Sequence, residues 1–191
     1  MFDPGYHDAG ALAAAGFAKL GRNVMISRTA TIIGRENIEL GDSVRIDGYV
    51  TITAGNSGVK IGSYVHVGAY SYVGGGAGVE IGDFANLSQG VRLFSKSDDY
   101  TGLSLTNPTI PAEYSNVDSR PIMLGRHVII GSSSIVLPGV SAGEGSAVGA
   151  LSLVKTSLAP WMIYTGIPAR MLRAREKRIL ELEKSFTSRQ H

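Results

Sequence analysis

The chain has 191 residues, with 18 Lys and Arg against 16 Asp and Glu, and contains no cysteine. That length fits one domain, residues 1–191, and a net charge of +2 lacks the basic excess of a nucleic-acid-binding face. The absence of cysteine excludes disulfide scaffolds, thiolate metal sites and cysteine nucleophiles, and no apolar run has the length to span a bilayer, so a cytoplasmic protein without membrane insertion is expected.

Residues 1–21 read as an N-terminal helical segment, with a short helix over 9–20 in the Ala-rich stretch Ala9 to Ala18. From 22 to 159 the dominant signal is a repeat of six. Leu40, Ile46 and Ile52 are followed by Ile61, Val67 and Val73, by Ile81, Leu87 and Leu93, and then by six more hexads from Leu124 to Val154. Fourteen of these fifteen positions are Ile, Leu or Val, and nine are followed by Gly. Ordinary antiparallel strands alternate every second residue and would not place an aliphatic residue at every sixth position. Three short strands per coil, with glycine at tight corners, predict an all-β solenoid with parallel pairing between coils.

An extruded loop, 94–123, interrupts the hexads. It carries Asp98, Asp99, Tyr100, Asn107 and three prolines, and a polar loop of this length marks a functional segment. Residues 160–191 form a cap: Pro168 fits the first turn of a helix, and Leu172, Ile179, Leu182 and Phe186 lie on one stripe, predicting a C-terminal helix longer than the N-terminal one.

The segment from His127 through Gly131-Ser132 to Val140, the run Gly149-Ala150-Leu151-Ser152-Leu153-Val154-Lys155, and the terminal Gly166-Ile167-Pro168-Ala169-Arg170 together resemble the hexapeptide-repeat acyltransferases. The resemblance is to their maltose and galactoside acetyltransferase branch and its polysaccharide-biosynthesis relatives. It implies a left-handed parallel β-helix, a homotrimer, and acetyl-CoA as donor in the groove between adjacent solenoids, with no metal. On matching positions Ser132 would lie near the thioester, Ala150 and Lys155 along the pantetheine, and Arg170 and Arg173 near the CoA phosphates. The acceptor implied is a hydroxyl or amine of a sugar or nucleotide sugar in surface-polysaccharide or lipopolysaccharide synthesis.

The family's usual general base is a histidine where the long loop leaves the solenoid; here that place holds Asp98. A carboxylate is ordinarily a weaker base than histidine toward a sugar hydroxyl. Three readings follow. His66 serves as base from another coil, with Asn86, one coil on, orienting the acceptor. Alternatively, Asp98 or Asp99 takes that part, with Tyr100 lining the acceptor pocket. In the third reading the acceptor is an amine, which attacks without a strong base once neutral. His127 reads as structural. Only His66 and His127 fall within the repeat, too few for the three-histidine metal site of a γ-type carbonic anhydrase. The remaining alternative is a non-catalytic CoA- or sugar-binding assembly protein.

Overall fold

The computed structural model describes residues 4–189. Three parallel sheets form the faces of a β-solenoid of about seven turns. The first face runs from Lys19–Leu20 to Ser141–Ala142, the second from Met25–Ile26 to Met162–Thr165, and the third from Thr31–Ile33 to Leu153–Val154. Register is exact at the hexads: Ile46 pairs with Val67, and Leu87 with Ile130.

All fifteen hexad positions point inward, none more than 3% exposed. They stack as an apolar column, and the small residues four positions on, such as Val44, Val65 and Ala85, share that interior. Burying one Ile, Leu or Val side chain contributes about 1.5–3 kcal/mol, so each three-hexad coil carries its own share of the core. Two buried serines satisfy their hydroxyls on the backbone, Ser134 and Ser152 both donating to the Gly149 carbonyl, at 3.0 and 2.8 Å.

The two remaining corners of each coil are built differently. Between the first and second faces stand Tyr64, Phe84, His127, Gly145 and Trp161, all at positive φ. Their rings form a ladder, with Tyr64 on Phe84 at 4.9 Å and Phe84 on His127 at 5.2 Å. The Trp161 ring takes the space over Gly145, where a Cβ would stand 2.5 Å from it. Between the second and third faces the corner residues are Tyr49, Tyr70, Gly90, Ser133 and Leu151, again at positive φ.

The ends differ from the sequence expectations. Helix α1 spans only Ala9–Ala13, and the first coil already begins at Lys19–Leu20, which pairs with Glu39 and Leu40. At the other end Pro168 does not open a helix: the Ile167-Pro168 peptide is cis, and Arg170–Ala174 returns as an antiparallel strand along Met162–Thr165. Edge backbone groups of the last coil are thereby paired, which a helix at this point would have left open. Helix α2 is Ile179–Ser188. It folds back on the aromatic corner, where Phe186 meets Tyr64 edge-on at 5.2 Å and Glu183 holds both Arg126 and His127. Neither helix is long and apolar enough to cross a membrane.

The loop leaves the solenoid after Arg92–Phe94 through a small antiparallel hairpin, Lys96–Ser97 with Asp118–Ser119. Arg120 clamps its base by a bidentate pair to Asp118, with both contacts at 2.6 Å. Within the loop Tyr100 and Leu103 are 93% and 90% exposed.

Candidate functional site

Second-face strands place a row of polar side chains side by side, because residues in register on adjacent coils lie one strand spacing apart. Arg45, His66 and Asn86 share one register position on three successive coils. Asp47 sits two residues beyond Arg45, and the hydrogen bonds run in sequence from there. Arg45 Nε donates to Asp47 Oδ1 at 2.7 Å; Asp47 Oδ2 meets His66 Nε2 at 2.8 Å; His66 Nδ1 meets Asn86 Oδ1 at 2.8 Å. The Asn86 amide reaches toward the Ser88 hydroxyl at 3.5 Å. Burial alone would raise the Asp47 carboxyl, but hydrogen bonds from His66 and Arg45 outweigh it and hold the group below the ordinary carboxylate range. Both ring nitrogens of His66 are therefore engaged by neighbours in its own chain.

Ser88 ends this row at the corner before Gly90, and its backbone is fixed twice. Its N–H donates to the Ile130 carbonyl at 3.0 Å, and its own carbonyl accepts from the Ser71 hydroxyl at 3.2 Å. Sequence reasoning missed Ser88; its signal was the small polar residue standing where most hexads carry glycine.

Further along the same edge lie Ser132 and Ala150, stacked on consecutive coils. The Ser132 carbonyl accepts from Leu151 N–H at 2.9 Å, and a Cβ on Gly131 would stand 2.5 Å from the Ala150 nitrogen. Such close backbone approach leaves a shallow edge where a thin chain can meet main-chain groups. Next on this edge come Thr165 and Gly166, and Arg170 pairs with Thr165. Arg173 is the fourth residue of the strip, opposite Ile163 and exposed.

The other expected residues lie elsewhere. Lys155 follows strand Leu153–Val154, so it stands at the opposite end of the third face from Ala150. Asp98 follows the hairpin strand Lys96–Ser97 and is exposed, likewise across the third face from Ser88. Asp99 turns inward on its own loop: its carboxylate accepts from Thr101 N–H and the Ser104 hydroxyl, both at 2.8 Å, bonds that lower its proton affinity. Tyr100 stands on the same loop, 93% exposed. One chain thus collects Ser88, Ser132, Ala150 and Arg170 on one edge and leaves Asp98 and Lys155 on another. A cavity of about 480 Å³ under α2, lined by Phe84, Phe186 and Leu182, includes Asn86 alone among these residues.

No family model matches the chain. A curated relative, the dTDP-4-amino-4,6-dideoxy-D-glucose acyltransferase of Escherichia coli, is 42% identical over 95% of this chain and 94% of its own. The chain belongs to the hexapeptide-repeat acyltransferases. In this acyltransferase the coil is the family's left-handed parallel β-helix. A second relative, WbbJ of Escherichia coli, named for O-acetyl transfer in lipopolysaccharide biosynthesis, is 24% identical over 83% of this chain and 88% of its own. Among solved structures, AntD, an N-acyltransferase from Bacillus cereus bound to dTDP and 3-hydroxybutyryl-CoA, superposes with a TM-score of 0.94 at 42% identity, covering 99% of each chain. Another AntD complex holds dTDP-4-amino-4,6-dideoxyglucose and coenzyme A. Further AntD complexes carry a substitution at a serine, or at an aspartate that follows it by ten residues.

Proposed function

We propose that this chain transfers an acyl group from acyl-CoA, acetyl-CoA first among them, to the amino group of a dTDP-linked 4-amino-4,6-dideoxy sugar. The observation that carries this reading is the near full-length relationship to enzymes named for that substrate, at 42% identity. Ser88 and Asp98 are the one serine–aspartate pair of this chain with the ten-residue spacing substituted in AntD. They take the places of acceptor-site residues.

An amine acceptor resolves the absence of a loop histidine. The neutral amine attacks the thioester carbonyl, a C–N bond forms and the C–S bond breaks. The proton of the resulting ammonium passes to the Asp98 carboxylate and on to the departing thiolate. A hydroxyl acceptor would need its proton removed during attack, and with both His66 nitrogens occupied no free imidazole stands beside Ser88 among the described residues. Ser132, Ala150, Arg170 and Arg173 line the donor's course along the edge.

The active unit in this reading is a homotrimer. Two independent pairs, Ser88 with Asp98 and Ala150 with Lys155, are split across the third face in the same sense. A groove between copies, near edge of one against far edge of the next, reunites both pairs at once and covers the exposed Tyr100 and Leu103. Acyl-CoA and nucleotide sugars are cytoplasmic metabolites, which places the reaction there, upstream of surface-polysaccharide assembly.

Thiol release from acetyl-CoA or 3-hydroxybutyryl-CoA, followed with dTDP-4-amino-4,6-dideoxyglucose and with a dTDP-hexose lacking the amine, tests the proposal. Turnover requiring the amine is expected. Equal turnover with the hydroxyl sugar, or none with the amino sugar, overturns it.

A further inference from the structure

Two residues beyond the inward-facing residue of each second-face strand, the corner column reads Gly48, Ala69, Gln89, Ser132, Ala150 and Gly166 from coil to coil. Five of these six side chains are no longer than a hydroxymethyl group, and Gln89 alone extends from the edge. Its coil departs from the pattern twice, because Ser88, the residue before it, stands between Gly68 and Gly131 of the neighbouring coils.

The fold itself has no use for a long side chain at this position. Gln89 is exposed, and what ties it to the stack is its backbone. Gly90 N–H donates to the Ala69 carbonyl, Ser133 N–H to the Gln89 carbonyl and Leu151 N–H to the Ser132 carbonyl, each at 2.9 Å. Alanine would make the same bonds. The Gln89 carboxamide instead leans along the edge, where its Oε1 accepts from the Ser132 hydroxyl at 3.4 Å. It is thereby held over the step between Ser132 and Ser88.

We infer that Gln89 determines which acyl groups are transferred, by limiting their length. The inference rests on the donor course proposed above, along Ala150 and Ser132 toward an amine held at Ser88. A thin chain laid on Gly166, Ala150 and Ser132 meets no obstacle until Gln89, and its acyl end then lies against that side chain. An acetyl group needs room for one methyl beyond the carbonyl carbon. A butyryl group brings two more methylenes to the same place, and each must displace the glutamine from its hold on Ser132. One methylene too many in a fitted pocket costs about 10- to 200-fold in kcat/KM.

Competition between acetyl-CoA and butyryl-CoA, with dTDP-4-amino-4,6-dideoxyglucose as the one acceptor, tests the assignment on the full chain. The wild type is expected to favour acetyl by about tenfold or more in kcat/KM, and Gln89→Ala to raise the butyryl-to-acetyl ratio by about tenfold or more. Gln89→Met, of similar length, keeps the wild-type ratio. A merely structural loss lowers both donors together and leaves the ratio in place. An unselective wild type, an unchanged ratio in Gln89→Ala, or a methionine variant that follows the alanine one overturns the assignment while the acyl-transfer reading stands. Loss of turnover with both donors in both variants overturns it as well, since Gln89 would then serve every donor alike. If the wild type transfers neither acyl group to the amino sugar, the functional reading itself fails and this assignment with it.

Discussion

His66 Nδ1 lies 2.8 Å from Asn86 Oδ1, and the coil-to-coil register that brings them together also sets the other ring nitrogen against Asp47. A carboxylate only accepts, so Nε2 carries a proton toward Asp47, and the ring is oriented from both sides. We propose that His66 positions Asn86 and, through it, Ser88. His66→Ala is expected to lower kcat by about tenfold, short of the 10²–10⁴ that a general base contributes. His66→Gln, which can still bridge the two neighbours, should recover part of that loss. A fall beyond about 10³ in kcat with amino-sugar acceptor, unrelieved by glutamine, would return the base role to His66.

Asp98 lies across the third face from Ala150, so the proposed site shared between copies predicts complementation. Asp98→Ala would remove the proposed proton acceptor, and Ala150→Arg, at an exposed position, would block the proposed pantetheine course. Each variant alone should lose at least about 100-fold in kcat/KM. Co-refolded in equal amounts, they should regain activity at about a quarter of sites, those taking the intact edge from each parent. No recovery in mixed trimers would show that one chain supplies the whole site.

The Asp47 carboxyl is held below its ordinary range in the fold by His66 and Arg45, despite the opposing effect of burial. A depressed folded value stabilises the protein above the unfolded carboxylate range, and the contribution disappears as pH falls through the folded value. The Tm difference between wild type and Asp47→Asn should accordingly be full above about pH 5 and shrink below about pH 4. A difference independent of pH from 7 to 3 would deny the charged contacts their part.

Gly145 combines φ +67° with the Trp161 ring at 2.5 Å from any added Cβ. Gly145→Ala must displace the ring from the aromatic corner and strain the turn, a cost of about 1–3 kcal/mol. Thermal unfolding should show a Tm lowered by several degrees, with the emission of Trp161, the chain's one tryptophan, shifted. Unchanged Tm and emission would mean that the corner repacks freely.

Glu183 joins α2 to the solenoid by accepting from His127 Nε2 at 2.6 Å and by its contact with Arg126. Glu183→Ala leaves a buried imidazole without its acceptor, about 1–3 kcal/mol. Hydrogen exchange should quicken across 179–188 and leave the hexad strands protected. Uniform protection in the variant would show that the apolar contacts of Phe186 suffice.

The solenoid was legible because burial here has a period: each of fifteen hexad positions faces the column, and Gly131 is glycine because Ala150 passes directly over it. The cap was not. Arg170–Ala174 has ordinary helix formers and follows a proline, so local propensity favoured a helix, but the open edge of Met162–Thr165 offered a ladder of unpaired groups and won. The corner aromatics were invisible for a related reason. Nothing local marks Tyr49, Tyr64 or Trp161 as left-handed residues; the conformation is imposed by the coil, and their stacking by residues twenty or more positions away. Of the candidate site, the edge shared by Ser132, Ala150 and Arg170 could be suggested from the terminal motif, whereas the row from Arg45 to Ser88 emerges only once coils are laid on one another.

A stack of identical coils measures length in whole steps. From Tyr49 and Tyr70 to Ser88 the edge advances by a fixed increment per coil, and no loop movement or side-chain rotamer can alter that increment. A site laid along this edge would have its span graduated in coils, like marks on a ruler. Splicing one coil in or out between Tyr70 and Ser88 would move these residues apart or together by a full mark, about 4.8 Å, so a site built on this edge could change its span only in such units.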